Sequence, residues 1–407
     1  MVGLKCFKWL LLAVVVAGDQ VPHASGKYII TLKNDISARD VDSHMDWVDG
    51  VHTSTIGRRD FNHKGVTKNL DIGDSFRAYA AEFHPDAVQM LRDHPAVRSI
   101  EPDLPLRPRT IYRQSRSTWA LSSVSHRCPV HLWSTPEYLY DDNAGKGAYV
   151  YIIDYAINVK HSEFGGRAEL GFSDASAEGL STNHGTWVAG LVASKTYGVA
   201  KKAKIIAVNL GPGNDDAFVS TFISGIRFII QDARKHKRLG RAVISTSLGT
   251  NGFKSDAMKQ ATELTFQHGL LVVSAAGNEN EDTALTSPGS DPFAFSVGSV
   301  NQRWEKFEHS NFGNNVLCHA PGVNVESLAA GPEHQRYISN GTSASAPIVA
   351  GVAALLLGQR PYSDPGELGK AIMELASKDK IRGLPSGNRN NLVYTGVSKD
   401  NRPCRSW

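Results

Sequence analysis

Beyond residue 140 the chain alternates two kinds of apolar pattern. Near-continuous apolar runs rich in β-branched residues occur at Tyr149–Ile153, Ile205–Val208, Val243–Ser247, Leu270–Ser274 and Phe295–Val300. Runs of this kind suit strands of a parallel sheet covered on both faces. Between them lie helical patterns at Val188–Ser194, Phe218–Lys235, Ser255–His268 and Ser343–Leu357. The alternation predicts a doubly wound α/β domain, with its chemistry at the carboxyl ends of the strands. An earlier segment reads differently. Lys27–Leu32 is a strand pattern, Ser37–Val48 a helix, Phe76–Phe83 a strand, Pro85–Asp93 a short helix opened by proline, and Val97–Glu101 a strand. There is room for an extra strand near Ser54–Ile56, which makes a small α+β domain. Residues Pro102–Ser117 hold prolines and arginines with few apolar side chains, and predict an exposed linker open to cleavage.

The first residues change the picture. Lys5 and Lys8 precede the apolar run Trp9–Ala17, which ends on the small residues Ala17 and Gly18. This predicts a secretory signal over residues 1–18 and an extracellular protein. The run is too short to span a bilayer, and no later stretch reads as apolar enough to do so. The net charge of +4, from 44 basic and 40 acidic residues, is too small to suggest a nucleic-acid partner. With Cys6 lost in the signal, Cys128, Cys318 and Cys404 allow one internal disulfide, and the sequence does not say which two pair. No metal-ligand spacing is present, and no cofactor is implied.

Four segments carry candidate chemistry. Asp154 closes the run Tyr151–Ile153, where an acid could otherwise cap a helix. His184 precedes an apolar, small-residue helix, and Ser343 opens a helix rich in alanine and glycine. Asn278 ends the apolar run after Gly277. Acyl transfer needs a nucleophile, a base and a group that orients the base. Ser343, His184 and Asp154 can fill these roles, in the chain order acid, histidine, serine. A serine at a helix N-terminus also brings its own N–H and the positive helix end to a developing oxyanion, and Asn278 can add a side-chain donor.

Together these segments resemble the signatures of the subtilisin family, in particular its proteinase K-like branch and its secreted fungal members. Tyr197–Ala203, Ser247-Leu248-Gly249, His309–Gly313 and Ala320-Pro321-Gly322 are similar, as are Trp119-Ala120-Leu121 and Ser125-His126-Arg127. The segment ending Ile100-Glu101-Pro102-Asp103 resembles the family's inhibitor propeptide. The resemblance implies a seven-stranded, mainly parallel sheet preceded by a ferredoxin-like propeptide. It implies a propeptide over 19–111, cut within Thr110–Arg116, and a peptidase domain over 112–407. It implies a monomeric endopeptidase whose partners are protein substrates and its own propeptide. Asp154, His184 and Ser343 would be the triad, Asn278 the oxyanion donor, and Ser247-Leu248-Gly249 the segment that pairs with substrate backbone.

The likeness is incomplete at telling places. The family's small hydroxyl residue and glycine after the acid are Tyr155 and Ala156 here. The second histidine of the family's His-Gly-Thr-His run is Trp187, and the methionine after the nucleophile is Ala344. A glycine-rich rim segment corresponds to Asp215-Asp216-Ala217, which suggests a more acidic cleft. A calcium-ligating aspartate of related enzymes corresponds to Leu317, so no calcium is expected there. A catalytically weak or inactive relative is the alternative reading. A lipase-type hydrolase is disfavoured, because Gly341–Ser345 lacks the Gly-x-Ser-x-Gly pattern. The sequon Asn340-Gly341-Thr342 abuts the nucleophile and is expected to lie in folded backbone, unused.

Overall fold

The computed structural model describes residues 26–55, 63–73, 75–103, 110–129, 135–213, 217–331 and 335–397. The expected signal and the acidic pair Asp215-Asp216 lie outside them, as does Cys404. The chain divides into two compact units, Met1–Pro108 and Arg109–Trp407.

The first unit follows the order β1 (Lys27–Leu32), α1 (Ala38–Thr55), β2 (Gly65–Asn69), β3 (Ala78–Glu82), α2 (Pro85–Arg92), β4 (Val97–Pro102). Its antiparallel sheet has the order β2-β3-β1-β4, the arrangement of a ferredoxin-like domain. In α1, His44, Val48 and Val51 are buried, a stripe at helical spacing. That stripe carries the helix to Thr55, so the extra strand forms at Gly65–Asn69 rather than near Ser54. Tyr28, Ile30, Leu32, Tyr79 and Leu91 complete the core.

Within this core His44 Nδ1 lies 3.1 Å from His94 Nδ1, and His44 Nε2 lies 3.0 Å from the Tyr79 hydroxyl. His94 Nδ1 also accepts the Ala96 N–H, so it carries no proton. His44 therefore donates from Nδ1 and accepts at Nε2, which is the neutral ring. Burial, followed by the neighbouring His94, pushes His44 down to about 4.

The second unit opens with β5 (Ile111–Ser115), α3 (Trp119–Ser125) and β6 (Glu137–Asp141). Part of the expected linker is therefore a strand. Its apolar content is low, but cross-strand pairs support it: Tyr112 stacks on Tyr140 at 5.6 Å and Arg113 meets Glu137 at 2.9 Å. There follow β7 (Tyr149–Asp154), β8 (Ala168–Ser173), α4 (Asn183–Ala193), β9 (Lys204–Asn209), α5 (Val219–Lys235), β10 (Ala242–Thr246) and α6 (Asp256–Gln267). Next come β11 (Leu271–Ala275), β12 (Ala294–Val300), β13 (Val316–Pro321), β14 (Val325–Leu328), β15 (Arg336–Ser339), α7 (Thr342–Gln359), α8 (Pro365–Leu375), β16 (Ser377–Lys378) and β17 (Asn391–Leu392).

The large sheet has the order β16-β17-β13-β12-β11-β10-β7-β9-β8. Its stretch from β13 to β8 is the expected set of seven parallel strands. The short strands β17 and β16 extend it to nine. Alternate residues serve two cores. Val150 and Ile152 face the layer of α4 and α7, while Tyr151 and Ile153 face that of α5 and α6. Truncating either isoleucine to alanine should cost about 2–5 kcal/mol. Chain order reverses across β7 and β10, the switch point where doubly wound sheets open a crevice.

Helix α7 corrects the sequence reading, and two further details refine it. Helix α7 is long and apolar enough to cross a membrane, with a mean hydropathy of 1.4, yet 83% of that window is buried inside the protein. It is the central core helix, packed against β10, β11, β12 and β13. Asn340 is exposed, with its Oδ1 accepting the Asn324 N–H at 2.6 Å, whereas Gly341 and Thr342 are buried, so the sequon runs from the surface into folded backbone. Cys128 is disulfide-bonded, whereas Cys318 is a buried free thiol pushed up to about 12 by burial.

Candidate active site

Asp154 ends β7 and is fully buried. Its Oδ1 accepts two hydrogen bonds at 2.7 Å, from the Tyr155 N–H and from His184 Nδ1. Its Oδ2 is buried without a partner among the described residues. Among the described residues the carboxylate thus interacts through one oxygen, and that oxygen holds the imidazole.

His184 stands in the first turn of α4, where the Thr182 side chain caps Gly185 N–H at 3.1 Å. Its side chain is 29% exposed, against 0% for Asp154. Burial alone would lower its pKa, but the charge and hydrogen bond of Asp154 outweigh that and raise it. The geometry therefore favours the tautomer with Nδ1–H on Asp154, leaving Nε2 as the unprotonated ring nitrogen.

Ser343 is the second residue of α7, whose first-turn amides no helical carbonyl can reach. The Thr342 N–H is taken by Asn278 Oδ1 at 2.8 Å, and the Ala344 N–H by the Gly341 carbonyl at 3.1 Å. Between them the Ser343 N–H has no hydrogen-bond partner among the described residues. Gly341, at φ 122°, makes the sharp entry possible, and a Cβ there would sit 3.0 Å from Asn278 Oδ1.

Asn278 follows β11 and is exposed. Its Oδ1 also accepts the Thr342 hydroxyl at 3.1 Å. Two donors on Oδ1 orient the amide, so Nδ2 is the face offered outward. Buried Asn311 pins the turn beneath it, accepting the N–H groups of Glu279 and Glu281 at 3.0 and 2.9 Å.

Ser247, Leu248 and Gly249 leave the carboxyl end of β10, which pairs in register with β7. Ser247 has a second use. Pro347 lacks an N–H, so the Ser343 carbonyl four residues earlier has no helical partner. Ser247 Oγ donates to it at 3.0 Å. The sequence reading missed this brace and the Thr342 clamp on Asn278. The proline four residues past a helix-opening serine was the available signal for the brace.

Two of the residues that depart from the family pattern lie beside His184. The Tyr155 ring meets the imidazole edge-on at 5.9 Å between centroids. Trp187 is fully buried, 6.0 Å from the imidazole, and donates its Nε1–H to the Val325 carbonyl. Ala344 is fully buried and Leu317 packs against the core. Among the described residues no group of three or more histidine, cysteine or acidic side chains could hold a metal.

Comparison with known proteins agrees with this architecture. The subtilase family (peptidase S8) matches residues 145–398, and peptidase inhibitor I9 matches residues 27–108. Alkaline protease 1 of Aspergillus flavus is 34% identical, covering 95% of this chain and 96% of its own. Subtilisin-like proteinase Mp1 of Magnaporthiopsis poae is 35% identical, covering 98% and 100%. A crystal structure of a cold adapted subtilisin-like serine proteinase superposes with a TM-score of 0.63 at 32% identity, covering 69% of this chain and 99% of that one.

Proposed function

The chain belongs to the subtilase family as a serine endopeptidase with an I9-type propeptide, and from that premise we propose that it is secreted, catalytically active and released by its own active site. The observation that carries the proposal is the 2.7 Å bond from a buried Asp154 to His184 Nδ1. It prepares the one tautomer that can accept a proton at Nε2.

In the proposed reaction Ser343 Oγ attacks the scissile carbonyl while His184 Nε2 takes its proton. Asp154 stabilises the imidazolium. The oxyanion receives hydrogen bonds from Asn278 Nδ2 and the Ser343 N–H. His184 then gives the proton to the leaving amine, and water hydrolyses the acyl-enzyme by the same route. No cofactor takes part. Ser247-Leu248-Gly249, at the sheet's switch point, pairs with the extended substrate. The propeptide, residues 19–111, acts as the inhibitor and leaves a mature enzyme over 112–407. The cut falls within Thr110–Arg116, and the enzyme acts as an extracellular monomer on protein substrates.

The test is processing in a host lacking other proteases. Wild type should mature, and Ser343→Ala should remain full length. If both accumulate uncut, the protein is an inactive relative and the proposal fails.

A further inference from the structure

Tyr155 touches both members of the acid–base pair. Its backbone N–H binds the same Asp154 oxygen that holds His184, at 2.7 Å, and its ring lies edge-on to the imidazole at 5.9 Å. A second ring approaches from another element. Trp187, one turn along α4, lies 6.0 Å from the imidazole and is anchored outside that helix. Its Nε1–H reaches Val325 in β14 at 2.9 Å, and Tyr337 in β15 packs edge-on against it at 6.1 Å. Tyr155 is backed in turn by the chain after β9, where a side chain at Gly211 would meet its ring at 3.7 Å.

We propose that Tyr155, supported by Trp187, is a positioning residue that confines the His184 imidazole to the orientation presenting Nδ1 to Asp154. This rests on the reading of His184 as general base. A part-exposed histidine ordinarily exchanges among staggered rotamers within nanoseconds. Here hydrogen bonding gives limited restraint: Asp154 holds the ring through one oxygen, and its other oxygen has no partner among the described residues. Two rings held by separate elements lie 5.9 and 6.0 Å from the imidazole, and in this proposal they bar its swing away from Asp154. Both stand where the family resemblance led us to expect a small hydroxyl residue and a histidine.

Among the described residues the ionisable groups in contact with the imidazole are Asp154 at the end of β7 and the Tyr155 phenol; the Trp187 indole is uncharged. Loosening the clamp weakens the Asp154 contact, so the imidazole should also become easier to deprotonate.

The experiment compares Tyr155→Phe, Tyr155→Ser and Trp187→Phe, with active sites counted by an irreversible serine-directed reagent. The substrate is a quenched-fluorescent peptide selected from a cleavage library. Tyr155→Ser should lower kcat about ten-fold with KM within two-fold, and move the acid limb of kcat/KM to lower pH. Tyr155→Phe, which keeps the ring, should restore both. Trp187→Phe keeps a ring but loses the Val325 anchor, and should fall between them. In parallel, nitrogen-15 spectra of the full-length Ser343→Ala precursor read the His184 tautomer without any turnover. Tyr155→Ser should there populate the Nε2–H form, and Tyr155→Phe should not. Unchanged kcat per active site and unchanged tautomer in Tyr155→Ser overturn the positioning role, as does a Tyr155→Phe variant as impaired as Tyr155→Ser. An inactive wild type with a clamped tautomer would overturn the functional reading and leave the clamp standing.

Discussion

A buried imidazole and a part-exposed one in this chain have opposite proton affinities. In the N-terminal unit, His44 bonds to a second imidazole and a phenol, and its pKa is pushed down. In the peptidase unit, His184 bonds to a carboxylate, and its pKa is raised although burial opposes it. Burial disfavours the charged ring in both. What differs is the partner: Asp154 supplies a negative charge, whereas His94 can supply only a second positive one. The N-terminal unit therefore resists a proton that its folded core cannot hold, while in the proposed reaction His184 receives one during each turnover.

Replacing the charge breaks this contrast most severely. Asp154→Asn keeps the shape but removes the charge and favours the wrong tautomer, so kcat should fall about 10⁴-fold. The acid limb of any residual activity should move to lower pH. A loss under ten-fold, measured against counted active sites, would mean that the carboxylate is not the orienting group. Asn278→Ala leaves His184 untouched and should lower kcat by about 10²–10³-fold with little change in KM. An effect confined to KM would remove Asn278 from the oxyanion site.

The third test addresses the other imidazole. His44 has a depressed folded pKa, so between its unfolded value near 6.5 and about 4 the unfolded chain binds more protons than the folded one. Stability of the N-terminal unit should thus fall as pH drops through that window, by on the order of 3 kcal/mol, and level off below it. Hydrogen exchange of β3 in the full-length Ser343→Ala precursor reads this directly, and His44→Phe should flatten the slope. A slope that persists in His44→Phe would assign the acid sensitivity to other groups. His184 works in the opposite sense: its raised pKa adds stability that is present below the unfolded value and lost as pH rises through the folded one. The smallest effect is expected from Thr342→Val, which removes one of two donors on Asn278 Oδ1 and should lower kcat about five-fold, in keeping with about 1 kcal/mol for one hydrogen bond.

Much of this was legible in the sequence because strong physics marks it. The strands β7, β9, β10, β11 and β12 are mostly apolar and almost entirely buried, being covered on both faces, and Asp154 and Asn278 stand out as polar residues at or just beyond the ends of two of them. What escaped was held by pairing rather than by apolarity. Strand β5 reads as linker because its stability comes from Tyr140 and Glu137, more than twenty residues away. The helix α1 outran its expected end because Val51 extends a buried stripe that Thr53 to Thr55 interrupt in sequence. The seven-strand expectation left out β16 and β17, two residues each, too short to leave a pattern. In the site, the roles of Ser247 and Thr342 depend on which carbonyl or amide lies across from them, and no local motif states that.

Helix α7 has a consequence for how the enzyme would lose activity. Every residue from Ala344 to Leu357 is buried, so its amides exchange with solvent only when the domain opens as a whole. Ser343 rides on the first turn of this slowest segment, tied to it by a covalent backbone and to β10 by Ser247. The proposed nucleophile therefore has no local melting step of its own. Heat inactivation and cooperative unfolding of the peptidase unit should trace one curve, with the reactive serine among the last groups to lose its place.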